Sequence, residues 1–346
     1  MSHGIPPLAS GRDNNFNILR LLFAVLVLLS HAPELIDGNR SRELLTQAFG
    51  SISFGDFAVD GFFILSGFLI VRSWRSEPRA LNFMRKRALR IYPGFWVATL
   101  VCAFVVGPLG ADARHYFEQL SVPRLFLGMA ILGLPVIPPV FQGQPVPRVN
   151  GAMWTISLEF ICYFLVMLLG VWRAIERRKI WLILTVAWGL VFAHQRYGDL
   201  TPWPMKGVPY EFPIFRLMYA FFVGGCFELY REKVVFNRAL KLIMLAIFLA
   251  GMFSHRACEL ILPVAGGYLL LAIAFDQAPW LASFRALPDI SYGVYLYGWP
   301  VQKLLWWYWP ATSPWLVFAW TCAACVPLGW LSWHWVERPS LRFRRA

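Results

Sequence analysis

The chain has 346 residues, 58% of them hydrophobic and only 15% charged, with a formal net charge of +13. A soluble domain carries about 25% charged and about 45–50% apolar residues, so one globular core does not absorb this excess. The positive charge lies in short clusters between apolar runs rather than on one soluble face, which argues against a nucleic-acid-binding protein and for bilayer topology.

A membrane-spanning helix needs about 20 mostly apolar residues. Ten stretches meet that pattern, roughly 16–35, 51–73, 91–110, 152–172, 180–196, 211–230, 239–254, 257–275, 289–309 and 314–336. The prediction is therefore an all-α polytopic membrane protein with about ten transmembrane helices. Residues 1–11 read as a polar tail, 12–339 as one membrane domain and 340–346 as a basic tail. The first apolar run follows Arg12 and Asp13 without a small-residue cleavage site, as in a signal anchor. An eleventh stretch, 121–141, contains Pro135, Pro138 and Pro139 and reads as a re-entrant or surface segment, because prolines remove helix hydrogen bonds that hydrocarbon cannot replace.

Orientation follows from Lys and Arg in the loops. With the N-terminus inside, the inner segments take Arg72 to Arg90, Arg173 to Lys179, Arg231 to Lys241 and Arg338 to Arg345, the majority of the 32 basic residues. Both termini are then cytoplasmic. Counting 121–141 as a span would largely abolish the bias.

Ionisable residues inside spans are expensive and usually functional. Arg20 and His31, eleven positions apart in the first span, share one helix face, and roughly 16 Å of axial rise separates them. A fixed cation and a titratable base at two depths suit group transfer across a bilayer. The alternative is an arginine snorkelling to headgroups and a histidine marking the opposite interface. In the second span Asp56 and Asp60 share a face, beside Gly61, Ser66 and Gly67, which permit close helix contact. Asp60 suits pairing with an arginine or orienting His31, and equally a structural role. Arg85, Lys86, Arg87 and Arg90 form the densest basic cluster, either a topology determinant or a site for an anionic substrate such as nucleotide phosphates. Glu159, in the fourth span after Trp154, is a second candidate to hold His31. Tyr292, Tyr295 and Trp154 can line a carbohydrate site or form an aromatic belt. Cys322 and Cys325 form a C-x-x-C, read as helix packing rather than redox or metal chemistry, because no second pair or histidine cluster accompanies it.

Together these pieces resemble the acyltransferase-three family of membrane-bound acyltransferases, over about Asn14 to Pro339. Arg20 to His31 resembles its first-helix signature, and Asp60 to Ile70 its V-D-x-F-F-x-L-S-G-F-L-I segment. Arg87 to Trp96 is similar to R-x-x-R-I-x-P-x-x-W. Trp154 to Tyr163 is similar to W-S-L-x-x-E-x-x-F-Y, with Thr155 in place of Ser. Ser291 to Pro300 is similar to S-Y-x-x-Y-L-x-H-x-P, and Glu337 to Pro339 to the terminal E-x-P. Gly298 departs from the pattern, standing where many members carry His.

The resemblance implies transfer of an acyl group, often acetyl, from cytoplasmic acyl-CoA to a hydroxyl of a cell-surface or lipid-linked glycan, at a bacterial inner membrane. No tightly bound cofactor and no metal are implied; acyl-CoA is a co-substrate. Arg20, Arg87 and Arg90, with Arg85, would bind the donor. His31 would act as base or acyl carrier, with Glu159 or Asp60 orienting it, and Trp154, Tyr292 and Tyr295 would contact the acceptor. The competing readings are a glycan or lipid transporter without acyl chemistry, and a membrane scaffold or sensor.

Overall fold

The computed structural model describes residues 3–5, 14–197, 213–254, 257–285 and 287–343. Of the predicted tail 1–11 only residues 3–5 are described, and of 340–346 only 340–343, so Arg344 and Arg345 of the loop-charge pattern lie outside the described residues.

The main helices are α1 (Phe16–Asp37), the short α2 (Leu44–Phe49), α3 (Phe54–Ser76), α4 (Ala80–Leu109), α5 (Val122–Ala130), α6 (Trp154–Val171), α7 (Arg178–Tyr197), α8 (Ile214–Leu229), α9 (Arg238–Met252), α10 (Cys258–Ala274), α11 (Ser291–Tyr308) and α12 (Pro314–Arg342). Each of the ten predicted apolar stretches coincides with one of these helices. The protein is an all-α membrane protein. Among the described residues five helices, α1, α3, α4, α6 and α12, are long and apolar enough to cross a bilayer alone, and α10 makes a sixth if joined to Pro279–Arg285 across an 82° bend. The others fall short for physical reasons: α8 and α9 have 16 and 15 residues, and α11 carries Gln302 and Lys303.

The 121–141 stretch holds only the nine-residue α5, about 13 Å of helix, which does not span a bilayer. The chain then turns back, with Leu132 and Phe141 at positive φ, and Phe141 donates its backbone N–H to Gly110 O at 2.8 Å.

The packing centres on α1 and α3. α1 lies against α3, α11 and α12, and α3 lies against α8. The α3–α8 crossing is backbone to backbone: a Cβ on Gly67 would fall 1.9 Å from Phe221 O, and one on Gly224 would fall 2.1 Å from Ile64 O. Small residues allow such approach in lipid, where dispersion and interhelical hydrogen bonds hold helices together. Ser53 caps α3 in a capping box with Asp56, so the same carboxylate that starts the helix also faces the site. At the start of α1, Asn15 Nδ2 donates to Ile273 O and Asp276 O, both at 2.8 Å, tying α1 to the end of α10. A two-residue ladder pairs His3–Gly4 with Val235–Phe236, antiparallel.

Candidate active site

Two cavities lie along α1, one at the Arg20 end and one at the His31 end. The first is about 470 Å³ and is lined by Arg20, Ser66, Arg87, Arg90, Glu159, Tyr163, Asp289 and Tyr292, among others. The second is about 640 Å³ and is lined by His31, Glu34, Arg40, Asp56, Arg148, Trp154 and Trp299, among others.

The structure brings Arg20, Arg87 and Arg90 together in the first cavity, but their electrostatic states differ. Asp289 Oδ2 accepts from Arg90 Nη2 at 2.5 Å and from Arg20 Nη1 at 3.3 Å, while Ser291 Oγ donates to Asp289 Oδ1 at 2.5 Å. Arg90 also reaches Glu337 Oε2 at 3.5 Å. Arg87 makes no ion pair with a carboxylate among the described residues. Its Nη2 meets Ser73 Oγ at 3.5 Å, its guanidinium lies 5.8 Å from the Phe83 ring and 6.0 Å from the Tyr163 ring, and its buried Nε has no hydrogen-bond partner. A desolvated guanidinium without a counter-ion is poised to receive an anion. Arg85 is not part of this cavity: it donates to Phe343 O at 3.2 Å near the end of α12.

His31 sits in the second cavity, its Nδ1 2.8 Å from Glu34 Oε2 and its ring edge-on to Trp299 at 4.8 Å between centroids. Glu34 is one helical turn on, so the i,i+3 geometry places it on the same face. With Nδ1–H donated to Glu34, Nε2 is the basic nitrogen.

The carboxylate on His31 is therefore Glu34, and neither Glu159 nor Asp60. Glu159 Oε1 lies in the first cavity and accepts from Ser66 Oγ at 2.8 Å and Tyr163 OH at 2.6 Å. Asp60 is fully buried, lines neither cavity, and pairs with Arg216 Nε at 3.1 Å. Both fail as partners of His31 because they are on other helices whose facing could not be read from spacing within one span.

Glu34 also belongs to a network. Its Oε2 accepts from Arg40 Nε at 3.0 Å, and Arg40 Nη1 donates to Asp56 Oδ2 and Ser53 Oγ, each at 3.0 Å. Arg216 Nη2 donates to Asp56 Oδ1 and Nη1 to Glu259 Oε1, each at 3.1 Å. Burial opposes the charge on Arg40, but Asp56 and Glu34 outweigh it and raise its pKa above that of a free guanidinium.

The three aromatic candidates divide between the cavities. Trp154 lines the second. Tyr292 lines the first and donates to Ile91 O at 2.9 Å. Tyr295 lines both. The segment 144–148 walls the second cavity and is tied to α11: Lys303 Nζ donates to Gln144 Oε1 and to Val146 O, the latter at 2.7 Å, and Trp299 Nε1 donates to Arg148 O at 3.1 Å. Gly298, where the family pattern has His, faces α1: a Cβ there would fall 2.5 Å from Leu28 Cδ1. Sequence reasoning missed Glu34, Arg40 and Trp299. The His31-x-x-Glu34 spacing was a readable signal; the loop-borne Arg40 gave none.

A helical membrane scaffold that sets a basic, anion-receptive cavity next to one holding a carboxylate-oriented histidine is that of a group-transfer enzyme. The chain belongs to the acyltransferase-three family: the family model, described as an acyltransferase domain, matches residues 13–334. It is 26% identical over 306 positions to an O-acetyl transferase of Shigella phage Sf6, covering 85% of this chain and 86% of that one. It is 28% identical over 376 aligned positions to nodulation protein 10 of Rhizobium leguminosarum bv. viciae, covering 98% and 96%. A shorter match, 30% over 134 positions and 37% of this chain against 32% of the other, is to acyltransferase MdmB of Streptomyces mycarofaciens. No solved structure is a significant match.

Proposed function

We propose that the protein transfers an acyl group, acetyl foremost, from cytoplasmic acyl-CoA to a hydroxyl of a cell-surface or lipid-linked glycan. The observation that carries this reading is the adjacency of the two cavities on one face of α1, the Arg87 cavity suited to an anionic donor and the His31–Glu34 cavity suited to base chemistry. The O-acetyl transferase relative and the loop charges support it. In this reading the chain crosses a bacterial inner membrane about ten times with both termini cytoplasmic, Arg20 lies toward the cytoplasm and His31 toward the far side. Family membership favours enzyme over transporter.

In the proposed reaction Arg87, with Arg20 and Arg90, binds the phosphates of the donor. His31 Nε2 takes the proton of the acceptor hydroxyl while Glu34 holds the ring and stabilises the imidazolium that forms. The acceptor oxygen forms its bond to the acyl carbon as the carbon–sulfur bond breaks, and the thiolate leaves with the proton returned to it. No tightly bound cofactor and no metal is required by these steps.

The test is to compare the native host, its deletion strain, and deletion strains complemented with wild type or His31→Ala, reading base-labile esters on surface polysaccharide by NMR. Esters restored by wild type and absent with His31→Ala are expected. Spectra of wild type and deletion strain that do not differ would overturn the reading.

A further inference from the structure

Among the described residues, three line both cavities: Val59 on α3, Thr155 on α6 and Tyr295 on α11. They stand where the two spaces meet. The junction is held firmly. Thr155 Oγ1 and Tyr295 OH are 2.6 Å apart, and Tyr295 OH donates to Ala152 O at 2.8 Å. Phe62, from the first cavity, braces the Tyr295 ring edge-on at 5.9 Å between centroids. Both Thr155 and Tyr295 are buried. Two hydrogen bonds and a ring contact leave the phenol little freedom to swing aside, so the width of the junction is set by the side chains of Val59, Thr155 and Tyr295.

We propose that Val59, Thr155 and Tyr295 are the residues that restrict the transferred acyl group to the size of acetyl. The inference rests on the acyl-transfer reading above. For the ester bond to form, the thioester carbon and the acceptor oxygen must come within about 3–3.5 Å of each other. The donor occupies the first cavity and the acceptor hydroxyl must lie near His31 in the second, so the carbonyl sits at the junction. Whatever the carbonyl carries must fit between the three side chains. In this proposal a methyl group passes between them, whereas each added methylene meets Thr155 and Tyr295, which are hydrogen-bonded in place. One methylene in such a pocket changes the rate by roughly 10–200-fold. The bonds made and broken are unchanged by chain length: carbon–sulfur for carbon–oxygen, with the hydroxyl proton passing through His31 to the departing thiolate.

The experiment uses membrane vesicles, donor face outward, from a deletion strain of the native host carrying wild type, Val59→Ala, Thr155→Ser or Thr155→Val. Acetyl-, butyryl- and hexanoyl-CoA labelled in the acyl group are supplied in turn, and base-labile label in the membrane and glycan fractions is counted. Wild type is expected to prefer acetyl over butyryl at least ~100-fold. Val59→Ala and Thr155→Ser, which widen the junction, are expected to lower that preference at least ~10-fold. Thr155→Val keeps the width and loses the hydroxyl, while Ala152 O and the Phe62 ring still hold Tyr295, so most of the wild-type preference is expected to be retained even with slower turnover. Equal use of acetyl and hexanoyl by wild type overturns the proposal, as does a preference unchanged in both widened variants. Loss of preference in Thr155→Val also overturns it, since width would then not be the determinant. Wild-type vesicles that transfer no label from any donor overturn the acyl-transfer reading itself, a result distinct from transfer without discrimination.

Discussion

Asp289 holds Arg90 at 2.5 Å and Arg20 at 3.3 Å on the same carboxylate oxygen, which leaves Arg87 as the cation of the first cavity that Asp289 does not neutralise. Charge-assisted hydrogen bonds contribute about 1.5–3 kcal/mol each. Arg87→Ala is therefore expected to weaken acetyl-CoA binding about 10–100-fold, and Arg20→Ala to weaken it less, because Arg20 is already paired. Calorimetric titration of the purified protein checks this. Equal affinity of Arg87→Ala and wild type would remove Arg87 from the donor site.

The dyad of His31 and Glu34 makes a kinetic prediction. Loss of a positioned general base costs about 100–10,000-fold in turnover, so His31→Ala should fall in that range. Glu34→Gln removes the charge that stabilises the imidazolium and can present an amide N–H to Nδ1, which favours the wrong tautomer, so turnover is expected to fall by as much as about 10,000-fold. Acetyl-CoA affinity should stay unchanged in both, because neither residue lines the first cavity. A Glu34→Gln enzyme with full turnover would show that Glu34 does not act through His31.

Lys303 predicts a separation of donor and acceptor effects. Its ammonium holds Gln144 and the Val146 carbonyl, and so holds the segment that walls the second cavity. Lys303→Met leaves those acceptors unsatisfied and should cost about 1–3 kcal/mol of stability. Turnover assays should show a raised KM for the acceptor with the donor Kd unaltered. A donor Kd that shifts along with the acceptor KM would mean that the loop couples to both cavities.

Two glycines test the packing in different ways. Gly67→Ala places a methyl against the Phe221 backbone oxygen, which cannot move out of the way, so loss of folded protein in detergent is expected. Gly298→Ala meets only the Leu28 side chain, which can shift, and should cost about 1–3 kcal/mol. Size-exclusion chromatography and thermal melts distinguish the two, and a monodisperse Gly67→Ala protein with wild-type Tm would refute the close crossing of α3 and α8.

The sequence carried the helices and the single face of α1 that bears Arg20 and His31, because 3.6-residue periodicity and apolar length are local properties. It also placed Arg20, Arg87 and Arg90 on one anion-receptive theme, and they do share a cavity. What it did not carry were pairings between helices. Asp60 and Glu159 were equally good partners for His31 on paper, since each is a carboxylate in an apolar span, and only the packing of α3 on α8 and of α6 on α3 sends them to Arg216 and to Ser66 with Tyr163. Tyr292 and Tyr295 sit three residues apart on α11, yet Tyr292 lines one cavity and Tyr295 both. Arg40 arrives from a loop, where no periodicity announces a position.

Asp56 binds Arg40 through one oxygen and Arg216 through the other, and Arg40 in turn binds Glu34 beside His31. The loop after α1, the start of α3 and the start of α8 are thus wired to one another by charge. Chimeras that exchange the loop after α1 between relatives, in order to change acceptor, will carry a mismatched counter-ion unless the first turns of α3 and α8 travel with it. The three segments form a single cassette for recombination, although roughly 180 residues of sequence separate the first from the last.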